Sequence, residues 1–405
     1  MTLAKKIILP NGVTVKNRLL KSAMSEQLGD KSHNPTGKLV RLYRAWAQGG
    51  IGICVTGNVM VDRGALGEPK NVVLDEQSDL DAFCRWAEAG RENNTHIWMQ
   101  LNHPGKQIPK FLESNPVAPS QVPLEGGISK GFNPPRELTE QEIETIILRF
   151  ATSAKLAKEA GFTGVQIHGA HGYLVNQFLS PHHNRRDDGW GGSLENRMRF
   201  VLEIYKAIRT AVGKKFSVGI KLNASDFRHG GFTVEEAIRV AVALEEQGID
   251  LVEISGGSYE NPKMMGSPSA NDKEGYFLEY AAAMSEALQV PLALTGGFRS
   301  GGAMACALES GAADIIGVAR PLALEPDFPN RILADIQYGI QLPGVSTGMR
   351  AVDAMTAIGL TWYEYQMYLL GKGKPANPAA NAWLSVALTF WRMGAHGFAQ
   401  RRAKK

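Results

Sequence analysis

Cysteine is scarce in this chain of 405 residues, and the three present, Cys54, Cys84 and Cys306, stand far apart. They make neither a CxxC pair nor an even-numbered framework. That argues against a disulfide scaffold and an iron–sulfur cluster, and makes a reducing cytoplasm the expected compartment. Long apolar runs are missing as well. No stretch reaches the ~18 apolar residues of a membrane helix, and the opening Met1-Thr-Leu-Ala-Lys-Lys6 lacks the apolar core of a signal peptide. Nor is there a large excess of one charge: 44 Lys and Arg against 40 Asp and Glu leave +4. With no basic–aromatic motif beside it, so small an excess argues against a nucleic-acid partner. The C-terminal tail carries no Gly-x-Gly-x-x-Gly turn, so no second dinucleotide-binding domain is expected there.

What the chain does have is one alternating pattern. Residues 19–24, 52–60, 96–102, 164–170, 217–224, 251–256, 291–296 and 314–320 read as short apolar strands. Residues 140–160, 194–212, 234–247, 278–288 and 302–310 read as helices between them, the first announced by a capping box of Thr139 and Glu142. Eight strands alternating with helices predict an α/β fold closed as a (β/α)8 TIM barrel. Asn11-Gly12 between two apolar runs predicts an N-terminal hairpin, placed to plug the barrel's bottom. The expected division is a barrel over residues 1–345 and a C-terminal helical extension over 346–405. Residues 104–136, rich in Pro, Gly and Ser, are expected to cross the barrel mouth with a small hairpin of their own. In the extension, 349–370 reads as one helix. The apolar stretch 380–398 and the basic end Arg401-Arg-Ala-Lys-Lys405 are expected to pack on the barrel or on a second copy, which leaves a homo-oligomer open, the alternative being a basic amphipathic end lying on a membrane surface.

Strand alternation locates the chemistry. Barrel strands turn every second residue inward. In the third, fourth and fifth runs, Gln100 and Asn102, Gln166 and His168, and Lys221 and Asn223 share the face opposite the aliphatic residues. Unpartnered polar groups inside a barrel cost on the order of several kcal/mol, so a polar, partly anionic occupant is expected at their C-terminal ends. There the fourth run continues as His168-Gly-Ala-His171-Gly-Tyr173. Two imidazoles can hold a polarised oxygen and a phenol can yield a proton, which are the parts for reducing an activated double bond; the hydride must come from a cofactor. The seventh run ends in Gly296-Gly297 and the eighth in Ala319-Arg320, the two loops from which barrels often build a phosphate site. Flavin mononucleotide (FMN) satisfies both ends, with Gln100 at its pyrimidine edge and Lys221 beside N1. Plainer readings stand next to these. A lone Gly-Gly is a tight turn, Lys221 can pair with a buried carboxylate, and a single histidine is commonly structural. His168 and His171 with His182-His183 invite a metal, but no Cys joins them and the flanking glycines do not suit a helical metal motif, so none is expected. His103, His182, His183 and His229 read as surface or loop residues.

Taken together the motifs resemble the old yellow enzyme family of FMN-dependent ene reductases. Val15-Lys-Asn-Arg-Leu19 and Ser22-Ala-Met-Ser25 look like its first strand, and Gln100-Leu-Asn-His-Pro-Gly105 like its third. The most specific signature is His168-Gly-Ala-His-Gly-Tyr-Leu174 continuing into Asn176-Gln-Phe-Leu-Ser-Pro181, Asn184-Arg-Arg186 and Gly191-Gly-Ser-Leu-Glu-Asn-Arg197. Lys221 to Asp226 and Arg320-Pro-Leu322 complete the match. The resemblance implies FMN held by Ala23, Met24, Ser25, Gly57, Gln100, Lys221, Gly296, Gly297, Ala319 and Arg320. It implies His168 and His171 on the substrate's oxygen, Tyr173 as proton donor and Gln27 lining the substrate pocket. The chain departs from the pattern at Ala23, where many members have Pro, at Ser25, where others have Cys or Thr, and at Ala319, a common Gly. Lys221 stands for the commoner Arg, keeping the charge and losing the planar fork.

The implied activity is reduction, by NAD(P)H, of alkenes conjugated to a carbonyl or nitro group. Two rivals remain at this point: an FMN barrel that oxidises 2-hydroxy acids or dihydro-substrates with His171 as base, and a carrier of flavin or aromatic ligands without turnover. Nothing in the sequence chooses NADH over NADPH.

Overall fold

The structure is a computed structural model that describes residues 2–263 and 274–393. Its centre is a closed parallel sheet of β1 (Leu19–Lys21), β2 (Ile53–Val55), β3 (His96–Asn102), β4 (Gly164–Gly169), β5 (Ser217–Asn223), β6 (Leu251–Ser255), β7 (Leu292–Thr295) and β8 (Ile315–Val318). Each strand pairs in parallel with the next, and β8 pairs back onto β1. The expected (β/α)8 barrel is therefore present. Helices such as Glu140–Glu159 cover its outside. That helix begins with the expected capping box, and its buried stripe is Ile143, Ile146, Ile147, Phe150 and Ala154.

The barrel interior is layered. At the bottom, Leu20, Ile53, Val55, Trp98, Leu251, Ala293 and Ile315 form an apolar cluster with Ile7, Leu9 and Val15. The last three come from the hairpin of Ile7–Ile8 and Thr14–Val15, which turns at Gly12 with φ +86°. Asn11 ties the hairpin to the start of β5 through Ser217 Oγ at 2.9 Å. Trp98 fills the middle of this layer. Gly219 makes its room, since a Cβ there would come within 2.8 Å of the indole ring. A buried tryptophan so enclosed is worth about 3–5 kcal/mol against alanine.

Three local expectations are corrected. Residues 104–136 do cross the mouth, but Val117–Ala118 and Arg136–Glu137 pair in parallel, not as a hairpin. The chain between them loops over and returns in the same direction. Residues 349–370 form two helices, Arg350–Thr356 and Ile358–Gly371, because Ala357 adopts a left-handed conformation with φ +47°. The second helix packs against Gly37–Gln48, with Arg41 Nη1 donating to Gly371 O at 2.7 Å. The basic end 401–405 lies outside the described residues. Among those described, no helix is long and apolar enough to cross a membrane.

The third correction concerns His103 and His183, which are buried. His183 Nδ1 lies 2.9 Å from Lys106 Nζ, which also donates to Val122 O at 2.8 Å. His183 Nε2 is 3.7 Å from Glu260, which also meets Arg228. This network ties the long excursion to the loops after β4, β5 and β6. Burial pulls Lys106 down to a pKa of about 8. Polar loop composition disguised both histidines, because their burial comes from other loops, with Asp62 beside His103 and Lys106 and Glu260 beside His183.

His103 Nδ1 accepts from Gly105 N at 3.1 Å, and burial lowers its pKa from 6.5 to about 3. Between those values the unfolded chain binds a proton that the folded chain refuses. Stability should therefore fall as pH drops from 6.5 towards 3, by up to ~1.4 kcal/mol per unit. His103→Asn keeps an acceptor for Gly105 and cannot titrate. Urea midpoints across that range should fall less steeply for the variant than for the parent; parallel curves would assign the acid sensitivity elsewhere.

Candidate active site

Above the apolar layer the barrel turns polar, through the same alternation that places Trp98 inside. Gln100 Nε2 donates to Gln166 Oε1 at 2.7 Å, and Gln166 Nε2 donates to Glu253 Oε2 at 2.7 Å. Glu253 Oε1 pairs with Lys221 Nζ at 2.7 Å and accepts from Thr295 Oγ1 at 2.6 Å. Ser22 Oγ completes the chain against Thr295 at 2.7 Å. Burial alone would raise the Glu253 carboxyl, but the Lys221 ammonium and the hydrogen bonds from Lys221, Thr295 and Gln166 outweigh it and hold the group below its usual range. Lys221 is thus not a solitary cation: the pair is neutral. Glu253 follows from the alternation of Leu251, Glu253 and Ser255 against Val252 and Ile254, the same alternation that turns Gln100, Gln166 and Lys221 inward.

This layer floors a cavity of about 1240 Å³ at the C-terminal ends of the strands. Of the fourteen residues singled out from sequence, twelve line it: Ala23, Met24, Ser25, Gln100, His168, His171, Tyr173, Lys221, Gly296, Gly297, Ala319 and Arg320. Gly57 and Gln27 line a small hollow beside it, shared with Ser25. The Gly57 N–H is taken by Tyr43 Oη at 3.0 Å, and a Cβ there would meet Glu26 Oε2 at 2.2 Å, so glycine lets the first two loops touch. Gln27, at φ +49°, turns its amide to Glu364 at 2.9 Å.

The turn after β4 is held from several sides. His171 sits at φ +63°, a conformation that costs a non-glycine residue on the order of 1–3 kcal/mol. Its N–H donates to Asn223 Oδ1 at 3.0 Å, and its carbonyl accepts from Gln107 Nε2 at 2.9 Å. Its Nε2 lies 2.7 Å from Ser255 Oγ. Ala170 N–H donates to His168 Nδ1 at 3.3 Å. In the neutral ring this leaves the proton on Nε2, where it can be given to a ligand. The two imidazoles stand edge to face at 5.0 Å, and Tyr173 packs on His168 at 4.8 Å. Tyr173 Oη is 2.8 Å from Tyr259 Oη, and Asn58 Nδ2 reaches it at 3.4 Å. Tyr259 and Asn58 had no signal in the sequence, since they lie on other loops.

The residues fit FMN. Gln100 Oε1 is buried without a protein partner, an acceptor suited to an imide N–H. At the other end Gly297 has φ +77°, and a Cβ on Gly296 would meet Tyr276 N at 2.9 Å. Arg320 opens the segment after β8 beside them.

Comparison with known proteins agrees. Residues 5–338 match the model of the NADH:flavin oxidoreductase / NADH oxidase family. The chain is 39% identical over 353 residues to the NADH-dependent flavin oxidoreductase iliE of Hypocrea jecorina (strain QM6a), covering 81% of this chain and 88% of that protein. Among solved structures, 2-naphthoyl-CoA reductase in complex with 2-naphthoyl-CoA superposes with a TM-score of 0.77 at 29% identity, over 83% of this chain and 53% of that one. The old yellow enzyme homologue of Zymomonas mobilis superposes with a TM-score of 0.72 at 24% identity, over 85% and 95%.

The floor makes a stability prediction. Lys221→Met leaves the fully buried Glu253 without its cation and should cost about 3–5 kcal/mol in chemical denaturation. Adding Glu253→Gln should recover much of that loss. If the two losses simply add, the pair is not coupled as its 2.7 Å contact requires.

Proposed function

The chain belongs to the NADH:flavin oxidoreductase / NADH oxidase family, of the old yellow enzyme type, and we propose that it uses NAD(P)H to reduce alkenes conjugated to a carbonyl or nitro group. The observation that carries this reading is the set His168, His171 and Tyr173 at the end of β4, facing one cavity with the Gln100–Gln166–Glu253–Lys221 floor. The chemistry supplied by bound FMN is hydride exchange, from NAD(P)H to the alkene. Gln100 and Lys221 would hold its ring system from the floor, with Ala23, Met24 and Ser25 at one wall. Gly296, Gly297, Ala319 and Arg320 would take the phosphate.

The protein's own part is then binding and proton delivery. His168 gives the substrate oxygen a hydrogen bond from Nε2, with Nδ1 engaged by Ala170 N–H. His171 is aimed by Ser255 and Asn223. Donors fixed in advance stabilise the charge that builds on that oxygen as hydride reaches the β-carbon. Tyr173 Oη delivers a proton to the α-carbon. Tyr259 holds that phenol in place and can give it a hydrogen bond as negative charge develops on its oxygen. Nicotinamide and alkene use the same cavity in turn, which gives ping-pong kinetics.

Tyr173→Phe should separate the two halves of the cycle. Reduction of the flavin by NAD(P)H needs no proton from this residue and should stay near wild type. Enone reduction should fall by ~10²-fold or more, followed as stopped-flow flavin absorbance in each half separately. Substituting His168 and His171 together should weaken phenol and enone binding instead. Enone reduction at the wild-type rate in Tyr173→Phe would remove it as the donor.

A further inference from the structure

The family match ends at residue 338, but the cavity does not. Leu342, Ala354, Ile358, Tyr363 and Met367 line it together with Ala319 and Arg320. Tyr363 and Met367 sit on the helix Ile358–Gly371, which packs on the short segment Arg320–Leu324 as well as on Gly37–Gln48. The next residue on that helix, Glu364, is 3% exposed. Its Oε1 accepts from Gln27 Nε2 at 2.9 Å and from Ser25 Oγ at 3.1 Å. Ser25 Oγ also meets Glu68 Oε2. A serine hydroxyl carries one proton, so these two carboxyl groups compete for it, and Glu364 helps decide where the hydroxyl points. Ser25 lies on the cavity wall, directly after Ala23 and Met24.

We propose that the C-terminal extension is a wall of the cofactor site and not merely a brace on the barrel, with Glu364 as a positioning residue that acts through Ser25 and Gln27. This rests on the reading that the cavity takes FMN. Barrel loops alone leave the side beyond Arg320 to be closed by residues 342–367. A carboxyl group one hydrogen bond behind the wall also opposes extra negative charge on whatever lies against it, so its loss should ease reduction of the bound flavin.

The test uses the full-length, FMN-loaded protein and Glu364→Gln, which keeps the side chain's shape. FMN binding should weaken by ~10-fold or more, and the flavin midpoint potential, measured by dye equilibration, should rise. Circular dichroism and melting temperature should stay near wild type. In a Ser25→Ala background, the same substitution should weaken FMN binding less than it does alone, because one of its two routes has been removed. A Glu364→Gln protein with unchanged FMN affinity and unchanged potential overturns the proposal. So does a lowered melting temperature with both of those values intact, the signature of a brace. Wild-type protein that cannot be loaded with FMN would overturn the reading of the cavity itself, and that result appears before any variant is made.

Discussion

A closed barrel of eight strands has one interior, and half of every strand's side chains must fill it. In this protein the filling changes character partway up, and the ion pair between Lys221 and Glu253 marks the change. Neither partner reaches solvent. Two charges removed from water are tolerable only when they neutralise each other and their remaining hydrogen-bonding capacity is met. Gln166 and Thr295 hydrogen-bond Glu253, and Gln100 and Ser22 extend the chain from them, so that the six residues come from five of the eight strands and the loop after β1. Below this layer Trp98 and its aliphatic neighbours pack against the hairpin. Above it lies the cavity.

The ion pair also fixes how the floor acts on a ligand. A lone lysine would present a full charge to whatever rests on it. A lysine held by Glu253 presents hydrogen-bond donors with little net field, in a layer where Gln100 Oε1 is a buried acceptor without a protein partner. A ligand on the floor would therefore meet directional donors and acceptors, while Lys263, Arg299, Arg320 and Arg350 bring cationic side chains to the rest of the lining. The rim follows a similar division of labour. His171 is held at a left-handed φ by Asn223, Gln107 and Ser255, which belong to three different strands or their loops. Strain of that kind persists only where neighbours over-determine the conformation. The network of Lys106, His183, Glu260 and Arg228 keeps those neighbouring loops in register across the mouth.

Much of this was legible from residue order. Strand and helix periods, the capping box of Thr139 and the Asn11-Gly12 turn are local signals, decided within a few residues, and the structure shows each of them. Alternation within β3, β4 and β5 named the inward residues without any knowledge of their partners. Those three strands are too few, because Glu253 stands inward on β6, within a stretch that reads as an apolar run. His103 and His183 were misplaced for a different reason. Their surroundings in sequence are polar, and their burial comes from groups brought in by other loops, Asp62 beside His103 and Lys106 and Glu260 beside His183.

The barrel, the residues that face its axis and the motif His168-Gly-Ala-His171-Gly-Tyr173 were readable in residue order, since each of these follows from period and local backbone chemistry. Which groups meet was settled only by folding. Tyr259 reaches Tyr173, Glu253 reaches Lys221 and Glu364 reaches Ser25 across 86, 32 and 339 residues of chain. Contacts at such separations leave no periodic trace, because nothing within one strand or helix depends on them. They exist only once the barrel has closed and its loops and extension have settled on the same face.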